Sequence, residues 1–556
     1  MHLALGMIVI LSLLGSSLMI AGAQEPKVLY YGRSVGGDIE TIDPSLSETA
    51  DSIQVVEQLF VGVTAQDETD GSLLPSLASS WDVSEDGLTF TFHMLEGIPW
   101  VRYNADSGAV EQVTDENGNV RMVTAHDVVY AWQRTLDPAT ASTYAYVPAG
   151  FIAGGEAYAA GEGSFEDVGV TAVDDYTVQI TSSQLVSFAP YIYGLWMVRP
   201  LPQWAIEAAG DAWTEPENIN SFGPFALKEW EHEVSLTLIK NPFWPGTEDA
   251  PQPKLDEVVY VFLDPVPSLA EYEAGNLDVT GPPLEEMDRV RADPTLSAEL
   301  VINPRDCTYY LGYDNTEPPL SESVHLRRAL SLAIDRQAIV DNVTKGGQVP
   351  ARWFARPGLI AAPTLDTHPD TGIGYDPDQA KAELEMALEE LGVGSVDEIP
   401  PIVAAYNESA GHTAIMSAIQ QMWAETLGIQ IEITPMDSTT YFSTISEDAP
   451  QIYRSGWCSD YPDADNFLNV VFRSDSGQND SGFSNAEFDA IVDAARQETD
   501  LETRRDMYAR AEDILVKEQV GIIPIYWYTS VSLTKPHVER TFPALGYQRW
   551  AKWDIK

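Results

Sequence analysis

Residues 454–467 read RSGWCSDYPDADNF and bring a guanidinium, a tryptophan, a cysteine and three aspartates into one short stretch. Only one other cysteine exists, Cys307, far upstream. Such a cluster could hold a metal, activate a thiol, or form a stapled wall that receives a cationic guest. Zinc has little support, because it wants four ligands and no CxxC or HxxxH spacing occurs. Asp460, Asp463 and Asp465 lack the alternation, glycine turn and closing glutamate of a calcium loop. A Cys458 nucleophile would need a nearby base and a reduced thiol. No G-x-S-x-G, H-E-x-x-H or G-x-x-x-x-G-K-[ST] is present, and neither GIGYDP nor LGVGSVDE completes a dinucleotide fingerprint. No motif calls for a cofactor, and no catalytic residue stands out.

The elements that would position such a wall are of mixed type. VTAHDVVYAWQRTLDP opens with Thr124 as N-cap and Asp127 three residues on, and ends before Pro138. SESVHLRRALSLAIDRQAIVDNVTKGG puts Leu326, Ala329, Leu330, Ala333 and Ile334 on one helical face, with its continuation stopping at Gly346–Gly347. DPDQAKAELEMALEELG has Asp376 as N-cap, Pro377 at the first position and Gly392 as stop. PIVAAY, HTAIMSAIQQMWAETLG and IQIEITP read as strand, helix and strand, with Ile415, Ala418, Ile419, Met422 and Leu427 inward; this β-α-β unit implies a partly parallel sheet. Asn117-Gly118 between alternating residues signals a hairpin. There is no fixed-period repeat and no low-complexity linker.

The chain of 556 residues is long enough for more than one core. Its 85 acids against 31 basic residues give a net charge of −54, which argues against nucleic acid and anionic membranes as partners. The acids are spread along the chain rather than gathered in a tail, so the expectation is a surface adapted to high salt, with plain solubility as the duller reading. Unfolding midpoints measured against NaCl decide between them. Residues 1–23 read as a cleavable export signal, an apolar run followed by small residues at Ala21 and Ala23; a retained anchor is the alternative, and no nearby cysteine offers a lipid attachment point. Export puts the chain in an oxidising compartment, where two cysteines most simply form one disulfide, Cys307–Cys458.

Several blocks then converge. VTAHDVVYAWQRTLDPATAS at 123–142, RRALSLAIDRQAIV at 327–340, DCTYY at 306–310 and RSGWCSDY at 454–461 resemble the periplasmic oligopeptide-binding proteins of ABC importers, in family 5 of the extracytoplasmic solute-binding proteins (peptide/nickel-binding type). The resemblance runs through nearly the whole mature chain and includes that branch's disulfide. It implies an α/β, bilobal periplasmic-binding-protein-like fold (type II, cluster C): mixed sheets, and three domains around a ligand cleft with a hinge. Carried over, domain I takes 24–60, 204–306 and 529–556, domain II takes 61–203, and domain III takes 307–528. The hairpin at about 101–122 is an insertion relative to the family pattern.

The resemblance also assigns roles. Glu48-Thr49-Ala50 and Gly456-Trp457-Cys458 would flank a peptide backbone, Asp460 would meet its ammonium, and Arg454 and His412 its carboxylate. Tyr144, Tyr309, Tyr310, Trp457 and Tyr528 match aromatic positions at the cleft. Three departures put pocket shape in doubt. The position of a family tryptophan falls among Asp437 to Thr440, where no tryptophan stands, no second arginine lies between 445 and 450, and TGPPLEEM lacks the family's asparagines. The implied protein is a monomeric, exported receptor, periplasmic or in the cell envelope, that hands short peptides to an importer's membrane subunits and performs no chemistry. Alternatives are an oligosaccharide or nickel-complex receptor and, from other classes, a secreted hydrolase or a calcium-binding surface protein.

Overall fold

A computed structural model of the chain describes residues 25–33, 37–543 and 546–556. The expected leader, 1–23, lies outside the described residues.

Eleven strands form the main sheet: β1 (Val28–Gly32), β2 (Phe225–Glu231), β3 (Ser235–Lys240), β4 (Glu257–Val261), β5 (Val279–Thr280), β6 (Leu300–Tyr313), β7 (Val349–Pro350), β8 (Val403–Asn407), β9 (Glu432–Met436), β10 (Ile452–Cys458) and β11 (Ile522–Thr534). Their order is β2-β3-β4-β1-β5-β11-β6-β10-β8-β9, with β7 on β11. β1 runs parallel to β4 and β5, and β8 runs parallel to β9 and β10, while the other pairs are antiparallel.

Two long strands, β6 and β11, carry this sheet through both halves of the molecule. Leu300–Pro304 pairs with Thr529–Leu533, and Thr308–Gly312 pairs with Ile522–Trp527. Between Pro304 and Thr308 the register shifts: β6 takes four steps while β11 takes two, so Arg305 and Asp306 bulge out of the ladder. A separate four-stranded sheet (Ala78–Val83, Thr89–Met94, Thr177–Thr181, Val170–Asp174) packs under the helix Ala125–Leu136. One apolar core fills that sheet together with the β1–β4 end of the main sheet. Two others cover opposite faces of the β6–β10 end, one holding Tyr309 and the other Tyr310.

Local chemistry explains the helix ends. Thr124 donates its backbone N–H (2.8 Å) and hydroxyl (3.1 Å) to Asp127 Oδ2. The helix Pro377–Leu391 starts where Asp376 accepts from Gln379 N–H and stops at Gly392, whose φ of +68° suits a residue without Cβ. The helix Ala410–Leu427 joins the parallel pair β8–β9 as a β-α-β unit, but its face is rotated from the expected one. Met416 and Trp423 are buried, while Ala418 and Met422 are only half-buried. The expected continuous helix after Ser323 breaks. Val324–Leu332 ends at Ala333, Asp335 caps a new turn, and Lys345 closes it at φ +52°, just before Gly346. Buried Arg336 explains the break, because its guanidinium bonds the Ser331, Ile334 and Pro524 carbonyls. In the 101–122 region the ladder is Val101–Asn104 with Ala109–Gln112; Asn117-Gly118 forms a further turn closed by a single bridge, Thr114–Val120. Val101 and Val110 pack this hairpin on Ala226 of β2.

Candidate functional site

The site is built on β10 because, among the described residues, no strand pairs with one of its edges beyond Tyr453, where only the Arg454 carbonyl is taken, by the Tyr441 hydroxyl (2.6 Å). On one side Cys307 to Tyr313 of β6 pair with Cys458 to Ile452. On the other, β8 reaches only Ile452 and Tyr453, so Arg454–Cys458 have no ladder partner there among the described residues. Cys307 and Cys458 face each other across the ladder and are disulfide-bonded, 4.0 Å apart at Cα, which ties the end of β10 to the bulged part of β6. Gly456 is exposed, and a Cβ added there would meet nothing closer than 3.5 Å. The fold of the empty protein therefore does not demand a glycine at that position.

Past the end of β10, Asp460 lines a cavity of about 50 Å³ whose other walls include Tyr191, Trp196, Tyr461 and Tyr547. Asn466, fully buried at the start of the helix Ala464–Phe472, holds Asp460 in place. Its Oδ1 accepts from Asp460 N–H (3.1 Å) and from Trp457 Nε1–H (2.8 Å), and its Nδ2 donates to Asp460 Oδ2 (2.9 Å). Asp460 forms no ion pair among the described residues. Burial, helped by the nearby Asp306 charge and opposed by the Asn466 amide, pushes its carboxyl up to about 7. Asp306 is itself buried, bonded to the Ser459 hydroxyl, and pushed up by burial. Asp306 is close enough to raise Asp460 and feels the Arg305 charge, but neither carboxyl bonds a cation among the described residues. The phenols of Tyr144, Tyr146 and Tyr547 are held above their ordinary range by burial first and by the Asp460 charge second.

The other end of the free edge carries the opposite charge. Arg454 donates Nη2 to Tyr528 OH (2.8 Å) and Nη1 to Asn407 Oδ1 (3.4 Å), and its guanidinium lies 4.7 Å from the Tyr309 ring centroid. It has no carboxylate partner among the described residues, and its Nε is buried without a hydrogen bond. His412 sits beside it in the first turn of its helix, where Ser409 Oγ accepts from its N–H, and its Nδ1 is 3.4 Å from Tyr309 OH. Burial first, then the Arg454 charge, lowers its imidazole to about 3, so the ring is neutral at pH 7 and offers a hydrogen bond rather than a charge.

The remaining residues divide clearly. Tyr309, Tyr526 and Tyr528 share one face with Arg454 and Gly456. Tyr310, one residue along the strand, points the other way and packs on Phe354 and Phe472, so it belongs to the core and not to this cluster. Trp457 is half-buried and fixed by Asn466. Glu48, Thr49 and Ala50 are exposed at the start of the helix Ala50–Leu59, and the Tyr144 phenol feels both the Glu48 and the Asp460 carboxylates. Sequence reasoning passed over Asn466, Asp306, Tyr146 and Tyr547. Asn466 and Asp306 stood inside the quoted motifs, and pairing each buried charge with a nearby polar group would have found them. Tyr547 comes from a distant segment with no local signal. No cluster of metal-ligating side chains occurs among the described residues, and no helix among them is long and apolar enough to cross a membrane.

The family profile described as bacterial extracellular solute-binding proteins, family 5 Middle, matches residues 72–479. The oligopeptide-binding protein OppA of Bacillus subtilis (strain 168) is 32% identical over 504 residues, 88% of this chain and 86% of the relative. The periplasmic oligopeptide-binding protein OppA of Escherichia coli (strain K12) is 30% identical over 514 residues, 91% of this chain and 88% of the relative. Among solved structures, Haemophilus influenzae OppA in complex with RPPGFSPFR superposes with a TM-score of 0.79 at 26% identity, covering 96% of this chain and 99% of that one. These neighbours carry the bilobal, mixed α/β binding-protein fold.

Proposed function

The chain belongs to the family 5 bacterial extracellular solute-binding proteins, and on that premise we propose that it is an exported receptor delivering short peptides to an ABC importer. The observation that carries this reading is a pair of opposite, unneutralised charges at the two ends of one free strand edge. Asp460 lacks a cation, Arg454 lacks an anion, and the backbone of Arg454–Cys458 lacks a ladder partner among the described residues. A zwitterion with a peptide backbone completes all three. Backbone pairing supplies affinity that ignores side chains. The ammonium goes to Asp460, because a buried charge needs a partner. The carboxylate goes to the Arg454 fork, with neutral His412 adding an N–H.

Asp460 lies six positions along the chain from Arg454, at most about 20 Å if fully extended. That length suits about three to five residues between the two charges. Glu48–Ala50 flank the guest from the opposite lobe, with Tyr144 and Trp457 as walls and Tyr309 and Tyr528 beneath the carboxylate end. We assign the lobes as 24–60, 204–306 and 529–556 with 61–203, against 307–528, hinged where β6 and β11 cross between halves. Ligand closes the hinge, the importer's membrane subunits read the closed form, and the protein acts as a monomer without catalysis.

Titration calorimetry of the mature protein with trialanine to pentaalanine tests the reading. Binding is expected with trialanine through pentaalanine, and is expected to be lost when the amino terminus is acetylated. Equal affinity for acetylated and free peptides would remove Asp460 from its role. A response to cellobiose or nickel but to no peptide would remove the ligand class.

A further inference from the structure

Tyr547 and Gly546, which wall the Asp460 cavity, also wall a second one. This cavity, of about 300 Å³, begins at Ala50 and Asp51 and is faced by Arg33, Arg305 and Arg540. Three guanidinium groups around one space are unexpected in a chain of net charge −54. Arg33 is committed, with Nε on Asp51 Oδ2 (2.9 Å) and Nη1 on the Gly37 carbonyl (2.9 Å). The other two are not. Arg305, exposed in the β6 bulge, makes no hydrogen bond or ion pair among the described residues. Arg540 donates only Nη1, to Thr534 Oγ1 (3.2 Å), and its Nε is buried without a partner. Its guanidinium lies over the Phe542 ring (4.5 Å) and the Trp553 ring (4.4 Å), contacts that restrain its fork without neutralising it. Asp51, the one acid lining the cavity, is bonded to Arg33 and to Tyr260 OH. A bulge re-aims the side chains it carries, and this one turns Arg305 toward the cavity instead of into the ladder.

Resting on the reading that Asp460 takes a peptide ammonium, we propose that this cavity is an anion-binding subsite that takes the carboxylate of an acidic side chain at the first or second residue of the guest. The two cavities share Tyr547, so a ligand whose amino terminus lies at Asp460 has its first side chains within reach of the second cavity. Ala50 opens that cavity, and it is also the end of the segment assigned to flank the backbone.

The test uses the mature protein and four tripeptides: Glu-Ala-Ala, Ala-Glu-Ala and their Gln counterparts. At one of the two positions the Glu peptide is expected to bind about tenfold or more tighter than the Gln peptide, the strength of a charge-assisted contact. In Arg305→Gln that ratio falls to about one, and Arg305→Lys restores part of it. Because Arg305 is exposed and unbonded, the variant melts like the parent. Gln peptides binding as well as Glu peptides at both positions overturns the subsite while leaving the peptide receptor standing. No binding by any of the four overturns both. Inorganic phosphate or succinate binding alone, in an Arg305-dependent way, with a flat Glu/Gln ratio, gives the cavity to free anions and overturns the side-chain assignment.

Discussion

Two kinds of buried acid stand within six residues of each other. Asp463 and Asp465 are fully buried and matched: Arg504 grips Asp463 with two bonds (2.5 and 2.7 Å), and Arg496 grips Asp465 with two (3.0 and 2.9 Å). The same arginines lie over Phe188 (5.3 Å) and Phe151 (5.0 Å), and Tyr461 stacks on Phe188 at 5.0 Å, so aromatic rings of the 61–203 segment rest against this network. Asp460, half-buried on a cavity wall, has no arginine. Closed charge pairs hold architecture; an open one keeps binding free energy in reserve for a guest.

The largest test breaks a closed pair. Arg504→Met leaves Asp463 buried without its cation, and is expected to cost about 3–5 kcal/mol of stability in urea unfolding. A loss below about 1 kcal/mol would erase the contrast with Asp460.

Next comes the open acid. Asp460→Asn should weaken peptide binding by about 2–5 kcal/mol by calorimetry. The same change should not destabilise the empty protein at pH 8. The folded carboxyl is raised to about 7, so the stability it contributes is fully present below the unfolded value near 4 and is lost as pH rises through 7. At pH 8 the wild type carries a buried charge that the amide does not.

A smaller effect follows from the same titration. An ammonium binds only the ionised carboxyl, so affinity should fall as pH drops through 7, by up to about 1.4 kcal/mol per unit, with proton release on binding. In Asp460→Asn this slope should vanish. A wild-type affinity flat from pH 8 to 5 would mean that the guest's ammonium sits elsewhere.

The smallest concerns the strand edge. Gly456→Ala should leave stability within about 0.5 kcal/mol, given the open space around that Cα. It should weaken binding by about one ladder hydrogen bond, 0.5–1.5 kcal/mol. Equal affinity would place the guest's backbone away from β10.

What the chain reveals unaided follows the range of the forces involved. Helix ends at Asp376, Pro377 and Gly392 were legible because a cap acts over three or four residues. The break at Ala333–Asp335 was not, because its cause is Arg336 reaching Pro524 in another strand. The inward face of 410–427 came out rotated, since Met416 and Trp423 are chosen by the elements above them and not by the helix's own period. Asp460 and Arg454 could be singled out from one motif. Arg305, Tyr146 and Tyr547 meet them only through the fold, and Asn466 escaped notice because an amide carries no charge to attract attention.

The register break in β6 has a mechanical meaning. A ladder that loses its cross-bonds for a few residues yields to bending there while still resisting stretch, so it works as a flexure. The sulfur bond from Cys307 to Cys458 begins a rigid flange right at that flexure's edge. In the proposed hinge closure Asp460 rides on the plate that the flange stiffens, while Arg305 and Asp306 sit inside the flexure itself.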